Sequence, residues 1–347
     1  MSIITKEKVF SVEGRDIFIF KIQNSSGAYI EILNYGAYLV SVVVPDNHMQ
    51  FGNIVLNYKN IDNYYSDKLY LGSAIIGRVA NRIAEARFNL NENEYFLDRN
   101  DGNNCLHGGG AGLNKKILDY SLSEGCIIFT GVSSAGESGF PGEMFFSVRV
   151  SFSDKNELTF EYKASSDITC PVNFTNHAYF NLSRDHTSIL NYKLKVNASE
   201  YLEMNNEFLP TGKILQMKNT SYDFTGYKKI WKMMAEKNES IKGYNTYFIC
   251  RDYQVGRLKN LASVIDENSG RRIDVFSTMP GMLLYTGDYL TGEHLPFSGI
   301  CLEAQHYPDF VNHANFPQSI AGPQHEFHEI IKFEFHNYQE YAKYLSC

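Results

Sequence analysis

Two separated segments of this chain carry the side chains best suited to moving protons. The first is Val172-Asn173-Phe174-Thr175-Asn176-His177-Ala178-Tyr179-Phe180-Asn181-Leu182. Read at alternate positions, it divides into an apolar set (Val172, Phe174, Ala178, Phe180, Leu182) and a polar set (Asn173, Thr175, His177, Tyr179, Asn181), which predicts a β-strand with one face in a core. The polar set has amides, a hydroxyl, a phenol and an imidazole but no fixed charge. Such groups both donate and accept hydrogen bonds, as a neutral polyhydroxylated ligand requires. A buried polar network or an edge strand would give the same pattern. The second segment is Gly299-Ile300-Cys301-Leu302-Glu303-Ala304-Gln305-His306-Tyr307-Pro308, where Glu303 shares a strand face with Cys301 and Gln305. A carboxylate inside an apolar strand is costly unless it is paired or faces a polar cavity. An ion pair with Arg82 would account for it, and so would catalysis. Together His177 and Glu303 offer one group that titrates near neutrality and one carboxylate, enough for proton transfer without a cofactor.

Two further segments combine polar residues with turns. Ser73-Ala74-Ile75-Ile76-Gly77-Arg78-Val79-Ala80-Asn81-Arg82-Ile83 reads as an apolar strand entering a Gly-Arg turn, with Arg82 placed to hold ligand oxygens or to anchor a loop. Asn103-Asn104-Cys105-Leu106-His107-Gly108-Gly109-Gly110 is a glycine run that lets backbone approach a ligand closely, but no Gly-Lys-Ser/Thr follows to make it a phosphate loop. No metal is expected: His325-Glu326-Phe327-His328 misses the His-Glu-x-x-His spacing, and His306 and His313, which flank a turn, are weak candidates. The six cysteines are scattered without a Cys-x-x-Cys pair, which reads as free thiols in a reducing compartment.

The elements that must position these groups are mostly strands. Alternating or β-branched runs recur at 16–22, 29–33, 38–44, 127–132, 145–152, 158–164, 192–196, 272–277, 282–285 and 330–335, separated by Gly, Asn and Asp clusters. Tyr and Phe, 24 of each, favour the half-buried surface of a sheet. The best helical pattern, 228–237, places Ile230, Met233 and Met234 on one face and reads as a surface insertion. With no linker or fixed repeat along 347 residues, one large antiparallel β-sandwich domain, 1–347, is expected in an all-β fold. The net charge of −7, without basic or acidic runs, argues against nucleic acid or an anionic membrane surface as partner and for a small molecule. The charged start and the absence of a long apolar stretch predict a cytoplasmic protein. Nothing in the sequence fixes an oligomeric state.

Taken in order, these segments resemble the aldose 1-epimerase (galactose mutarotase) family. The matching motifs are Gly77-Arg78-Val79-Ala80-Asn81-Arg82, Leu106-His107-Gly108-Gly109, Gly139-Phe140-Pro141-Gly142, Thr175-Asn176-His177-Ala178-Tyr179-Phe180-Asn181, Tyr285-Thr286-Gly287 and Cys301-Leu302-Glu303-Ala304-Gln305, with Asp309 to Pro317 similar to that family's closing turn. The resemblance implies a supersandwich fold and interconversion of the α and β anomers of free aldoses such as galactose and glucose. Glu303 would act as base on the anomeric hydroxyl and His177 as acid on the ring oxygen. Asn81, Arg82, His107 and Tyr179 match positions around the sugar, and no cofactor is implied.

The chain departs from that pattern in one place that bears on the ligand. Gly243-Tyr244-Asn245-Thr246-Tyr247 stands where many members have Gly-aromatic-Asp-His, so the sugar-binding residue expected there is Asn245, an amide in place of a carboxylate. Leu283 is apolar where some members carry an amide. Sugar preference is what these changes affect. An epimerase acting on maltose or on a hexose phosphate, the latter held by Arg78, Arg82 and Arg87, is one alternative. A non-catalytic carbohydrate-binding protein is the other, although it would have no use for both His177 and Glu303.

Overall fold

Alternation of side chains decides which way each strand faces, and in the computed structural model, which describes residues 2–237 and 243–337, it assembles three large sheets paired in antiparallel fashion. A five-stranded meander runs in sequence order from Ile3–Val12 to Phe51–Asn53. A nine-stranded sheet has Cys126–Ser133, Met144–Phe152 and Glu157–Ser166 side by side, followed by Phe327–Asn337, Arg271–Ser277 and Lys259–Ile265. A six-stranded sheet is ordered Tyr179–Phe180, Ile300–Gln305, Gly281–Tyr285, Asn245–Cys250, Ala198–Met204, Pro210–Gln216.

All three sheets contribute to one core. Phe20 and Ile30 come from the meander, Phe129, Val148 and Phe160 from the nine-stranded sheet, and Phe248, Leu284 and Leu302 from the six-stranded sheet. Burying such side chains contributes about 1.5–3 kcal/mol each. In the six-stranded sheet the period of two then does the positioning. With Ile300, Leu302 and Ala304 committed to the core, Cys301, Glu303 and Gln305 must face the other way, as must Leu283 and Tyr285 beside Met282 and Leu284.

Each strand range expected from sequence falls on an observed strand, with ends shifted by a few residues. Three expectations are corrected. The segment 172–182 is not one continuous strand: regular pairing is confined to Cys170–Pro171 and Tyr179–Phe180, and between them Asn173 and Thr175 make isolated bridges to Val79 and Ile76. The stretch 73–83 likewise becomes regular only at Arg82–Ile83. Both segments are buried on both sides, so their backbone groups satisfy one another (Asn173 N–H to Arg78 C=O, Ala80 N–H to Asn173 C=O) outside a regular ladder. The third is the expected insertion at 228–237, which is a two-residue strand, Lys228–Lys229, leading into the helix Ile230–Ala235. Ile230 and Met233 are buried in the main core, so that face is structural.

Arg78 is the largest of the fully buried side chains, and its guanidinium donates to the carbonyls of Ser133, Ser134, Pro141 and Gly142 and to the Ser133 hydroxyl. Arg87 pairs with Glu94 at the surface. The three arginines considered as a phosphate clamp therefore diverge, and Arg78 clasps loops. Truncating it leaves those buried carbonyls unsatisfied. Arg78→Ala is expected to lower unfolding stability in urea by about 3 kcal/mol or more; a loss below about 1 kcal/mol would show that the clasp is dispensable.

Candidate active site

The polar face of the six-stranded sheet is laid out by register. Tyr179 pairs with Cys301, Cys301 with Tyr285, and Tyr285 with Asn245, giving one row across four strands; Glu303 pairs with Leu283 in the next row. Over this floor the loops carrying Tyr70, Asn81 and His107 close in. They enclose a cavity of about 370 Å³ lined by Asn81, Arg82, His107, His177, Tyr179, Asn245, Leu283 and Glu303, among others, a size suited to a small ligand. All seven site residues expected from sequence thus border one cavity. A larger hollow of about 660 Å³ lies against the outer strands of the nine-stranded sheet, around Phe145 and Lys163, and contains none of them.

Not all of the polar set at 172–182 reaches this cavity. Asn173 bonds the backbone of His306, Thr175 donates to Ala304 C=O, and Asn181 bonds Thr187, Ser298 and Tyr192. These three form a buried polar network that ties the segment to the strand Ile300–Gln305 and its neighbours. His177 and Tyr179 line the cavity. The buried-network reading of the polar face therefore holds for Asn173, Thr175 and Asn181, and His177 and Tyr179 are the members left facing the cavity.

His177 Nε2 lies 3.8 Å from Glu303 Oε1, and both side chains are buried. Glu303 is not paired with Arg82, whose Nε instead donates to Asp101 at 2.7 Å while its guanidinium lies over the Phe208 ring. Burial pushes the Glu303 carboxyl up to about 8, with the positive charge of Arg82 pulling weakly the other way. Burial likewise pulls His177 down to about 4. At neutral pH the pair therefore holds one proton between two neutral groups. Among the described residues, Glu303 Oε2 and Asn245 Oδ1 are buried without a hydrogen-bond partner, and both residues line the cavity.

The walls are held in uncommon backbone. Tyr70, Asn81 and His107 have φ of 55°, 66° and 53°, in the left-handed region. His107 Nδ1 accepts the Asn81 N–H at 3.2 Å, which leaves the proton of the neutral ring on Nε2. Gly108 follows at φ 84°, and a Cβ there would sit 2.0 Å from Gly77 O, so the Leu-His-Gly-Gly turn owes its glycine to close backbone approach. Sequence reasoning missed Tyr70, which packs edge-on to His107 at 4.6 Å and against His177 at 5.8 Å, and also Phe208 and Tyr289 at the mouth. All three lie outside the motifs and are brought in by long-range folding.

Donor atoms of His177, Cys301 and Glu303 also lie within 4.8 Å of one another, a set that could hold a metal. Burial raises the Cys301 thiol well above its ordinary pKa, so in the empty site it is protonated. The weak candidates His306 and His313 are separately engaged with Glu329 and Asp309.

A family model for aldose 1-epimerase matches residues 19–333. Galactose mutarotase of Rattus norvegicus is 33% identical over 88% of this chain and 90% of its own, and aldose 1-epimerase of Escherichia coli K12 is 29% identical over 93% and 96%. Among solved structures, the GalM/aldose epimerase homologue from C. elegans superposes with a TM-score of 0.85 at 25% identity, covering 92% of this chain and 98% of that one. Galactose 1-epimerase from Lactobacillus acidophilus does so at 0.86 and 24% identity, covering 97% and 99%, and shares the fold. The chain belongs to the aldose 1-epimerase family, isomerases that interconvert the anomers of aldoses.

A buried carboxyl whose pKa rises on folding from 4.5 to about 8 contributes stability that is full below the lower value and lost as pH rises toward the upper one, because the folded state holds the proton that the unfolded state releases. Glu303→Gln does not titrate. Its thermal midpoint should gain on the wild type as pH is raised from about 4.5 to about 8, as read by calorimetry. A difference that does not change with pH would mean that Glu303 is charged in the folded protein.

Proposed function

We propose that the whole chain, 1–347, works as one catalytic domain that anomerises free aldoses of the galactose and glucose type, with His177 and Glu303 as the acid/base pair. The observation that carries this reading is a neutral imidazole and a raised carboxyl 3.8 Å apart in a cavity that fits one monosaccharide.

In the reactive arrangement Glu303 is a carboxylate and His177 an imidazolium. Glu303 takes the proton of the anomeric hydroxyl. As the carbonyl forms at C1, the C1–O5 bond breaks and its electron pair takes the proton from His177 Nε2. The products are an open-chain aldehyde, a neutral carboxyl and a neutral imidazole. Both charges vanish in this step, and the low-dielectric surroundings favour that direction. Rotation about C1–C2 presents the other carbonyl face, and the same transfers in reverse close the ring as the other anomer. Each positioned acid or base contributes about 10²- to 10⁴-fold.

Arg82, His107, Asn81 and Tyr179 surround the sugar in this reading. Asn245 Oδ1, at the floor's far end, accepts from a sugar hydroxyl as an amide acceptor weaker than a carboxylate. With Arg78 in the core and Arg87 paired at the surface, the three arginines do not form a phosphate clamp at the site. Burial of the free cysteines Cys105, Cys126, Cys170, Cys250 and Cys301 is in keeping with a reducing, cytoplasmic setting. Among the described residues no helix is long and apolar enough to cross a membrane.

The test is polarimetry on freshly dissolved α-galactose and α-glucose. Glu303→Gln and His177→Asn are each expected to lower kcat by about 10²-fold or more, and the double variant by much less than the product, since the two act in one concerted step. Wild-type kcat in either single variant would remove that residue from the mechanism. The singly protonated pair is the active form. The plot of kcat/KM against pH should therefore be bell-shaped, falling below about 4, where both groups are protonated, and above about 8, where neither is. A single limb near the ordinary histidine pKa would contradict the pair.

A further inference from the structure

Cys301 has no part in the anomerisation above, yet it stands against both groups that do. It is two residues from Glu303 on the same strand face, it is fully buried, and its Sγ lies 3.7 Å from His177 Nδ1. With one donor atom taken from each residue, His177, Cys301 and Glu303 fall within 4.8 Å of one another.

Imidazole, thiolate and carboxylate are the side chains that bind zinc, and three protein ligands with a fourth position open make a site that a small molecule can also reach. At the usual bond lengths, the donors of a tetrahedral site stand roughly 3.5 Å apart. The set must therefore close by little more than about 1 Å from its widest separation of 4.8 Å. Glu303 has an oxygen to spare for this. Its Oε2 is buried without a hydrogen-bond partner, and the cavity it lines gives a cation its way in.

The charges also match. A divalent cation held by a thiolate, a carboxylate and a neutral imidazole sums to zero, so the apolar surroundings that penalise a lone carboxylate do not penalise the complex. The thiol and carboxyl protons pass to solvent as the ligands bind. Sulfur then selects the cation, since thiolate favours zinc over Mg²⁺ and Ca²⁺, which take oxygen ligands.

A second set of donors, Asp274, Glu334 and His336 on the nine-stranded sheet, lacks these features. Arg272 already binds Asp274, Lys332 binds Glu334, and no sulfur is present. Among the described residues the other free cysteines, Cys105, Cys126, Cys170 and Cys250, belong to no such set.

We infer that His177, Cys301 and Glu303 form a binding site for a thiophilic divalent cation such as Zn²⁺, and that the cation inhibits the enzyme by occupying its acid/base pair. The binding stands on the donor geometry, while the inhibition rests on the catalytic reading above. Cation and sugar claim the same two side chains. The inhibition is therefore competitive.

Mutarotation of α-galactose is followed by polarimetry in metal-free enzyme titrated with Zn²⁺, with the uncatalysed rate at the same Zn²⁺ subtracted. Half-inhibition is expected at about 10 µM free Zn²⁺ or below, with KM raised and kcat kept. Co²⁺ in place of Zn²⁺ should give a thiolate-to-cobalt charge-transfer band in the near ultraviolet. In Cys301→Ser the band should vanish. The Zn²⁺ needed for half-inhibition, taken against that variant's own metal-free rate, should rise about tenfold or more, since a lost ligand costs at least as much as a lost outer partner. His177→Asn should weaken Co²⁺ binding by a similar factor, read by the same band, which tests the site should Cys301→Ser fold poorly. His336→Gln, in the second set, should be inhibited as the wild type is. Half-inhibition only at higher Zn²⁺, a Co²⁺ complex without the band, equal inhibition of Cys301→Ser and wild type, or inhibition lost in His336→Gln overturns the site. A band that Cys301→Ser removes, together with undiminished mutarotation at saturating Zn²⁺, would keep the site and overturn instead the assignment of His177 and Glu303 as the acid/base pair.

Discussion

The constraint on which this structure depends is the desolvation of one carboxyl. Glu303 lies on a strand whose alternate residues, Ile300, Leu302 and Ala304, are committed to the main core, so the strand cannot turn to give the side chain to water. A buried carboxylate without a counter-ion is expensive, and the group responds by holding its proton. His177 is subject to the same burial with the opposite sign: it resists taking a proton. Two groups that would form an ion pair at the surface are thereby made into a neutral pair with one proton to exchange, which is the state in which ring opening leaves them and from which ring closure begins.

The rest of the fold protects that condition. The six-stranded sheet gives a rigid floor on which Tyr179, Cys301, Tyr285 and Asn245 stand in register. The buried amides Asn173 and Asn181 fasten the His177 segment to it through backbone groups and would otherwise be unpaired polar atoms. Arg78 fastens the Gly-Arg turn to the backbone at Ser133, Ser134, Pro141 and Gly142, and the left-handed backbone at Asn81 and His107 re-aims those residues over the floor. The pairing of Arg82 with Asp101 keeps a full positive charge off Glu303, close enough to bias the carboxyl slightly and too engaged to neutralise it.

Much of this was legible in the sequence because it follows from alternation. Glu303 facing the same way as Cys301 and Gln305 is a consequence of a period of two, and the expected strand ranges survive for the same reason. The segment at 172–182 was legible in its chemistry and not in its geometry: its alternation is real, but the backbone leaves the regular ladder to bond with residues 72–80. Which of its polar residues would be structural could not be read, since Asn173 and His177 look alike until Asn173 is seen holding the His306 backbone. The ion pair considered between Glu303 and Arg82 fails because Asp101 reaches the guanidinium first: Asp101-Gly102 reads as a turn, but nothing in its pattern ties that turn to Arg82. Tyr70, Phe208 and Tyr289 were invisible, being single aromatic residues in loops whose approach is set by tertiary packing.

The account's central claim is that burial leaves the empty pair neutral, with the carboxyl protonated and the imidazole not. Nuclear magnetic resonance of protein labelled at glutamate carboxyl carbons and histidine ring nitrogens, with Glu303→Gln and His177→Asn to assign the signals, measures this directly. The account predicts a Glu303 carboxyl that stays protonated through neutral pH and titrates near 8, beside a His177 ring that stays neutral down to about pH 4. A carboxyl that is ionised at neutral pH, or a His177 that gains its proton near the ordinary value of 6.5, would contradict it.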